Sequence, residues 1–436
     1  MTSTRRGFLK GAGLAAGVAL ASPAALARPL ADDAPCKPLP EPIARLKSRN
    51  SEAKPITPAE REQRLERARE LMRLNQLDAI SLTGGASLKY FSGISWWLSE
   101  RLFAMVLPAK GAAFFVCPAF EADRAQEQIT GGLGWKDPEM RLWQEDESPY
   151  ALVAAGMKQR GLAAGKLGIE ERVYWVYSEG VGQAAPAVKL TSATPVTAGC
   201  RMIKSAHELE LMLLANQVTL AAYEAAYRSL KPGMTQKDFA GFVEQAHVQL
   251  GFEGGAGVQV GENSALPHGS AKPQVVKEGT ILLVDGGCSV EGYQSDISRT
   301  FVLGRPTGKT EKMKKVFEIV HEAQSAALAA AKPGVPCEAV DAAARKVISD
   351  AGYGLDYEHF THRVGHGIGM DGHEWPYLVR GNKLPMAPGM CFSDEPGIYI
   401  RGEFGVRLED IMHITANGAE LFTPQSPSLE EPFGPP

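Results

Sequence analysis

The chain is expected to be an α+β protein in two parts, and three observations lead there. Strand-like and helix-like stretches alternate through about residue 195, the pattern of an α/β domain. From about residue 200 a helix–helix–strand unit occurs twice, its copies roughly a hundred residues apart. The strands that close each copy carry a pair of carboxylates, which ties the duplication to chemistry.

The N-terminus has a separate purpose. Ser3-Thr4-Arg5-Arg6-Gly7-Phe8-Leu9-Lys10 precedes an apolar run from Gly11 to Ala21, and Ala25-Leu26-Ala27 offers small residues for cleavage. This pattern reads as a twin-arginine export signal over residues 1–27, removed after use. The apolar run falls short of the roughly 20 residues that span a bilayer, so no stable membrane anchor is expected. The expected location is periplasmic or secreted. Export by this route carries folded proteins, so a metal can be loaded before transport.

Residues 28–199 read as an α/β domain, beginning with a proline-rich, charged lead-in over 28–58 that is expected to be extended. A helix is expected over 58–75, with Pro58 suited to its first turn and Leu65, Ala68, Leu71 and Met72 on one face. Residues 78–82 form a strand, 105–108 and 112–116 a hairpin around Lys110-Gly111, and 166–170 another short strand. No phosphate loop or dinucleotide fingerprint is present.

Residues 200–424 form the second domain, with 425–436 as a tail. A helix from Ser205 or Ala206 through Leu230 stops at Lys231-Pro232-Gly233, and a second follows over 236–250. Strands then carry Asp285 and Asp296, with Gly292 near their turn. The order repeats with a helix over 310–331, a stop at Lys332-Pro333-Gly334, a helix over 338–350, and strands carrying Glu395 and Glu409. One Lys-Pro-Gly means little, but two in the same setting argue for internal duplication.

Composition narrows the function. The 436 residues are 44% apolar and 22% charged, with net charge -4 and no strongly basic segment, so no nucleic-acid partner is expected. The six cysteines are scattered without a CxxC pair; buried thiols are the first expectation, with one or two bridges as the alternative.

The acids carry the chemistry. Asp285 interrupts the apolar run 281–284, and a carboxylate there needs a partner that offsets its desolvation. Glu395 and Glu409 also follow apolar stretches. Arg407 is a rival partner, since one arginine can neutralise one acid as a structural ion pair, but it cannot neutralise four. His362, His366 and His373 fall within twelve residues that also hold four glycines, which excludes a regular helix and implies backbone packed closely around something. Four carboxylates and an imidazole make an oxygen-rich site suited to two divalent ions, manganese first, with cobalt, zinc or iron as alternatives. Such a centre hydrolyses an amide or similar bond.

These motifs resemble the pita-bread metallopeptidases, the family of Xaa-Pro aminopeptidase, prolidase, methionine aminopeptidase and creatinase. Asp285-Gly-Gly, Ser295-Asp296-Ile297-Ser298-Arg299-Thr300, Gly365-His366-Gly367-Ile368-Gly369, Glu395-Pro396-Gly397 and Arg407-Leu408-Glu409-Asp410 stand at the family's five metal-ligand positions, in its order. The resemblance implies a pita-bread catalytic domain behind a creatinase-like α/β domain. It implies that Asp285 chelates one metal, that Asp296 and Glu409 bridge both, and that His366 and Glu395 complete the second. A metal-bridging hydroxide is then the nucleophile, with Glu395 or Glu409 as general base. His268 matches a histidine that meets substrate or leaving group. His362 and His373 match the pair flanking His366, with His373 expected to stabilise the transition state. Tyr399 and Arg407 match positions used around the active site of proline-specific members, either directly or by orienting the metal ligands. The N-terminal domain and His362 point to the proline-specific branch, acting on Xaa-Pro peptides or dipeptides as a homo-oligomer, dimer or tetramer. Asp371-Gly372 and Ser393-Asp394 depart from what many relatives carry, and both lie near the substrate.

Three rivals stand beside this. A dimethylsulfoniopropionate lyase of the same fold is expected to carry a further Asp where this chain has Gly287. Metal-free creatinase chemistry and a catalytically dead binding module both predict missing ligands, and all five are present here.

Overall fold

Three helices begin where a hydroxyl residue stands three positions ahead of an acid. Thr57 with Glu60, Ser205 with Glu208 and Thr235 with Asp238 each close a capping box, satisfying free N–H groups at the starts of Pro58–Leu74, Ala206–Ser229 and Gln236–Leu250. The computed structural model describes residues 38–304 and 310–435, so the expected export signal and Cys36 lie outside the described residues.

The N-terminal part is built on a six-stranded sheet. Its order is Met140–Trp143, Phe114–Pro118, Ala104–Pro108, Ala79–Thr83, Lys166–Ile169 and Lys189–Ser192. The expected hairpin forms, with Ala104 opposite Val116 and Met105 opposite Phe115. The three central strands are buried at every position, which is why they read as unbroken apolar runs. Ile80, Leu82, Met105 and Phe115 pack on one side with Leu65, Ala68 and Met72 of Pro58–Leu74. Ala79, Val106, Phe114 and Val116 pack on the other with Val153 and Met157 of Pro149–Gln159.

Two expectations change. The lead-in is not simply extended: Glu41–Ala44 is a short helix with proline in its first turn, Ile43 is fully buried, and the Arg49 N–H donates to the Leu250 carbonyl at 2.9 Å. The lead-in thus packs against the catalytic half. The divide expected between residues 199 and 200 falls inside the helix Thr194–Arg201, which packs on Pro58–Leu74. Residues 40–436 form one compact unit.

The duplication is visible in the C-terminal part. Ala206–Ser229 and Gln236–Leu250 precede an antiparallel sheet of Gly254–Val260, Ile281–Val290 and Ile297–Val302. Thr310–Ala330 and Cys337–Asp350 precede a second sheet ordered Glu374–Leu378, Gly365–Gly367, Cys391–Asp394, Asp410–Ile414 and Ala419–Leu421. An isolated antiparallel bridge between Ser298 and Glu409 joins the two sheets, with the Glu409 N–H donating to the Ser298 carbonyl at 3.2 Å.

Arg299, fully buried, spans the same seam. Its Nη1 donates to the Glu409 carbonyl at 2.9 Å, and its Nη2 to Asp410 Oδ1 at 2.7 Å and to the Pro424 carbonyl at 2.9 Å. Truncation strands the buried Asp410 carboxylate, a loss of about 3–5 kcal/mol. Arg299→Met is therefore expected to lower the melting temperature of the metal-free protein sharply in a thermal scan. An unchanged midpoint would show that the seam does not depend on it.

Candidate metal centre

Strand register alone brings the acids together. Asp285 pairs with Ser298 and Gly286 with Ile297, while Ser289 pairs with Gln294 farther along the same hairpin. Asp296 therefore lies on the same face as Asp285, two residues from its partner. In the second sheet Asp394 pairs with Asp410, and one more step places Glu395 opposite Glu409. The Ser298–Glu409 bridge then sets the two pairs edge to edge.

Glycines permit this closeness. A Cβ at Gly365 would lie 2.0 Å from the Ser393 carbonyl oxygen, and one at Gly287 would lie 1.9 Å from that of Ser295. Neither position admits a side chain while the backbone keeps its place.

All five expected ligands converge. Ligand atoms of Asp285, Asp296 and Glu409 lie within 4.8 Å of one another, as do those of His366, Glu395 and Glu409. His366 Nε2 is 3.3 Å from Glu395 Oε1 and 3.8 Å from Asp296 Oδ2. Its Nδ1 faces its neighbour's carbonyl, that of Gly367, at 3.1 Å, which fixes the proton there and leaves Nε2 with its lone pair toward the acids. The five line one cavity of about 140 Å³ together with His268, His362, His373 and Arg407.

The electrostatics leave negative charge to be met. Burial and the Arg407 guanidinium oppose each other at Asp285, and Arg407 with the Ser298 hydroxyl holds it below the usual aspartate range. Burial, then Asp285 and Glu395, push Asp296 well up. Burial, then Asp296, Glu395 and Asp285, do the same to Glu409. Glu395 is pushed up to about 7, mainly by burial. The Ser298 hydroxyl lies 2.9 Å from Asp285 Oδ1 and 2.7 Å from Glu409 Oε2, yet it has one proton to give. Four converging carboxylates with one arginine among them fit a pair of divalent cations.

Arg407 and Tyr399 sit behind the acids. Arg407 Nη2 meets Asp285 Oδ2 at 2.6 Å, Nε donates to the Ser298 hydroxyl at 2.9 Å, and Nη1 donates to Tyr399 Oη at 2.9 Å. Tyr399 Oη also meets His362 Nε2 at 2.7 Å, while His362 Nδ1 faces the Arg363 carbonyl at 2.8 Å. Both His362 nitrogens are thus engaged within the protein. Tyr399 is buried behind His362, which fits the orienting alternative for it, while Arg407 lines the cavity and also holds Asp285. His373 is exposed, its ring stacked on that of His366 with centroids 3.7 Å apart, and His268 is exposed at the cavity.

Sequence reasoning gave no role to Ser298, though a serine two residues after Asp296 on a strand shares its face. Asp394, one of the noted departures, is fully buried and neither carboxyl oxygen has a hydrogen-bond partner. Burial, then Asp410 and Glu395, hold its carboxyl well above the normal range. The five described cysteines, Cys117, Cys200, Cys288, Cys337 and Cys391, are free and buried.

Comparisons with known proteins find relatives for both parts of the chain. Residues 210–416 match the model of metallopeptidase family M24, and residues 64–203 match the creatinase/prolidase N-terminal domain. An Xaa-Pro dipeptidase of Lactobacillus helveticus is 34% identical over 356 residues, 79% of this chain and 92% of that one. The crystal structure of dipeptidase PepE from Mycobacterium ulcerans superposes with a TM-score of 0.80 at 34% identity, covering 86% of this chain and 99% of that one. A recombinant prolidase from Thermococcus sibiricus gives 0.75 at 30% identity, covering 83% and 96%.

Two outcomes follow from the charges. Carboxyls whose titration burial pushes up keep their protons to higher pH in the metal-free protein and must release them to bind cations. Manganese titration at pH 7 in buffers of different ionisation enthalpy is expected to show net proton release, with affinity falling as pH drops below about 7, where Glu395 titrates. Uptake without proton release would contradict this. Asp394→Val is expected to raise stability by about 1–3 kcal/mol by removing an unpartnered buried carboxyl. The gain should be larger at pH 8 than at pH 4, because the unfolded chain ionises Asp394 freely above about pH 4 while burial opposes its ionisation in the fold. Denaturant titrations at the two pH values measure both.

Proposed function

The chain belongs to metallopeptidase family M24, and from that premise we propose that it is an exported dinuclear enzyme hydrolysing the bond before proline in short peptides or dipeptides. The observation that carries the reading is the convergence of Asp285, Asp296, His366, Glu395 and Glu409 on one cavity. Preference for proline rests on the relatives, whose names specify Xaa-Pro dipeptidase and prolidase, and on the matching N-terminal domain.

Asp285, Asp296, His366, Glu395 and Glu409 would hold the cations. When bound, the pair supplies a nucleophile at neutral pH and polarises the scissile carbonyl. The rest falls to the chain's own groups. Glu395, lining the cavity beside His366, is suited to take a proton during attack. His373 and His268, exposed at the cavity, are placed to donate to the substrate carbonyl and the leaving nitrogen. His362 is fixed by Tyr399 and the Arg363 carbonyl, and shapes the wall. Manganese is the proposed ion because the donors are mainly carboxylate oxygens.

A lyase of this fold is disfavoured at one residue. Its additional acid would stand at Gly287, where a Cβ meets the Ser295 carbonyl oxygen at 1.9 Å.

The Arg5-Arg6 pair supports twin-arginine export to the periplasm. No helix among the described residues is long and apolar enough to cross a membrane. Exposed Trp97, Phe120 and Trp175 supply apolar surface for a homo-oligomeric contact.

Asp296→Ala and Glu409→Ala are expected to lose bound metal by elemental analysis and activity by about a thousandfold or more. Full activity in either would refute the assignment. Metal-stripped enzyme, restored with manganese, cobalt or zinc, should cleave Xaa-Pro substrates and spare Xaa-Ala ones. Equal cleavage of both would remove the proline claim and leave the metallopeptidase one. Replacing Arg5 and Arg6 with lysine should retain the protein in the cytoplasm; unimpeded export would refute the route.

A further inference from the structure

His373 sits on a stretch interrupted by Gly369 and Gly372. A Cβ at Gly372, next to the histidine, would meet nothing within 4 Å, so nothing packs where a side chain would stand there. Ordering such a stretch costs about 1–2 kcal/mol per residue. Yet the His373 ring stacks on the His366 ring, a geometry that tolerates little drift.

The support comes from residues that precede the first repeated helix, Ala206–Ser229. Asp371 and Glu374 flank His373, and three cations converge on them. Arg201, at the end of Thr194–Arg201, donates to Asp371 Oδ2 at 2.6 Å, to Glu374, and to the Ser87 hydroxyl at 3.0 Å. Lys204 Nζ donates to Glu374 Oε1 at 2.7 Å. Both cations are largely buried and fix the base of the loop. The third is Arg172, on the turn after the strand Lys166–Ile169 of the N-terminal sheet. Its Nη2 donates to the carbonyl oxygen of His373 itself at 2.8 Å, and its Nη1 meets Asp371 Oδ1 at 3.1 Å. One planar guanidinium thus holds the histidine's backbone and the neighbouring carboxylate in a fixed relation, which a lysine point charge does not reproduce.

We propose that Arg172 is a positioning residue of the peptidase centre, by which the N-terminal domain sets the attitude of His373 toward the substrate. Asp371 and Gly372, a departure from many relatives, gain a purpose: Asp371 gives Arg172 its second anchor, and Gly372 leaves room for His373 to turn. This rests on the reading of His373 as a substrate-facing group, and the test separates the two.

The experiment measures kcat and KM for an Ala-Pro dipeptide with manganese-loaded full-length enzyme carrying Arg172→Ala, Arg172→Lys, His373→Ala, or both alanine changes. Arg172→Ala is expected to lower kcat about tenfold with KM within about twofold, since a misplaced group costs turnover before it costs binding. Arg172→Lys should recover part of the loss. In the His373→Ala background, Arg172→Ala should have no further effect, the signature of two residues acting through one another. Melting temperature and metal content should stay unchanged, because Arg172 is 60% exposed and touches no expected ligand. If His373→Ala keeps full kcat, the reading of His373 fails. If His373→Ala loses activity and Arg172→Ala does not, the positioning role fails. A rise in KM alone would make Arg172 a direct substrate contact and overturn the proposal. An equal loss in both backgrounds, or a loss of metal or stability with Arg172→Ala, would overturn it too.

Discussion

Like charge held close is the constraint on which the catalytic half is built. Two carboxylates 4 Å apart repel by about 4 kcal/mol in a medium of effective dielectric near 20, and here four converge. The backbone forces them together through two hairpins joined at Ser298 and Glu409. Arg407 then holds Asp285 and the Ser298 hydroxyl from behind, and Arg299 ties the same seam through Asp410. Neither arginine cancels the charge of the whole set. The fold accepts a standing deficit at one place and recovers it when cations enter.

Asp285, Glu395 and Glu409 were legible in the sequence because each follows an apolar stretch, the clearest signal a sequence gives, and Asp296 through its motif. Asp285 after Ile281-Leu282-Leu283-Val284 is the plainest case. His366 was legible through the glycines around it, which the structure explains as room for three strands to meet. The repeated Lys-Pro-Gly marked the duplication because helix ends have local grammar. Ser298 was not legible, since a serine on a strand is ordinary until its partners are known. Arg172 was still less so: its partner His373 is 201 residues away, and no local pattern encodes a contact of that range. Tyr399 was left between a direct and an orienting role because proximity in sequence to Glu395 does not tell which side of the metal centre a residue occupies. The short helix Glu41–Ala44 was missed because a single buried side chain, Ile43, carries no period.

The two sheets differ in tolerance as well as content. The first is drawn tight at Gly287 against Ser295, so its chemistry at that position is closed. The second carries Asp394, a buried acid that no neighbour uses, next to a residue the site needs. Loss of stability is thus concentrated near the reacting groups, where natural proteins commonly accept it.

The repeat is not symmetrical in what it contributes. One copy supplies two short aspartates; the other supplies two longer glutamates and an imidazole. The resulting donor sets are unlike, one made of oxygen alone and one containing nitrogen. On the proposed dinuclear reading the two ions would meet unlike surroundings, and the nitrogen donor would draw zinc or cobalt more strongly to one of them than to the other.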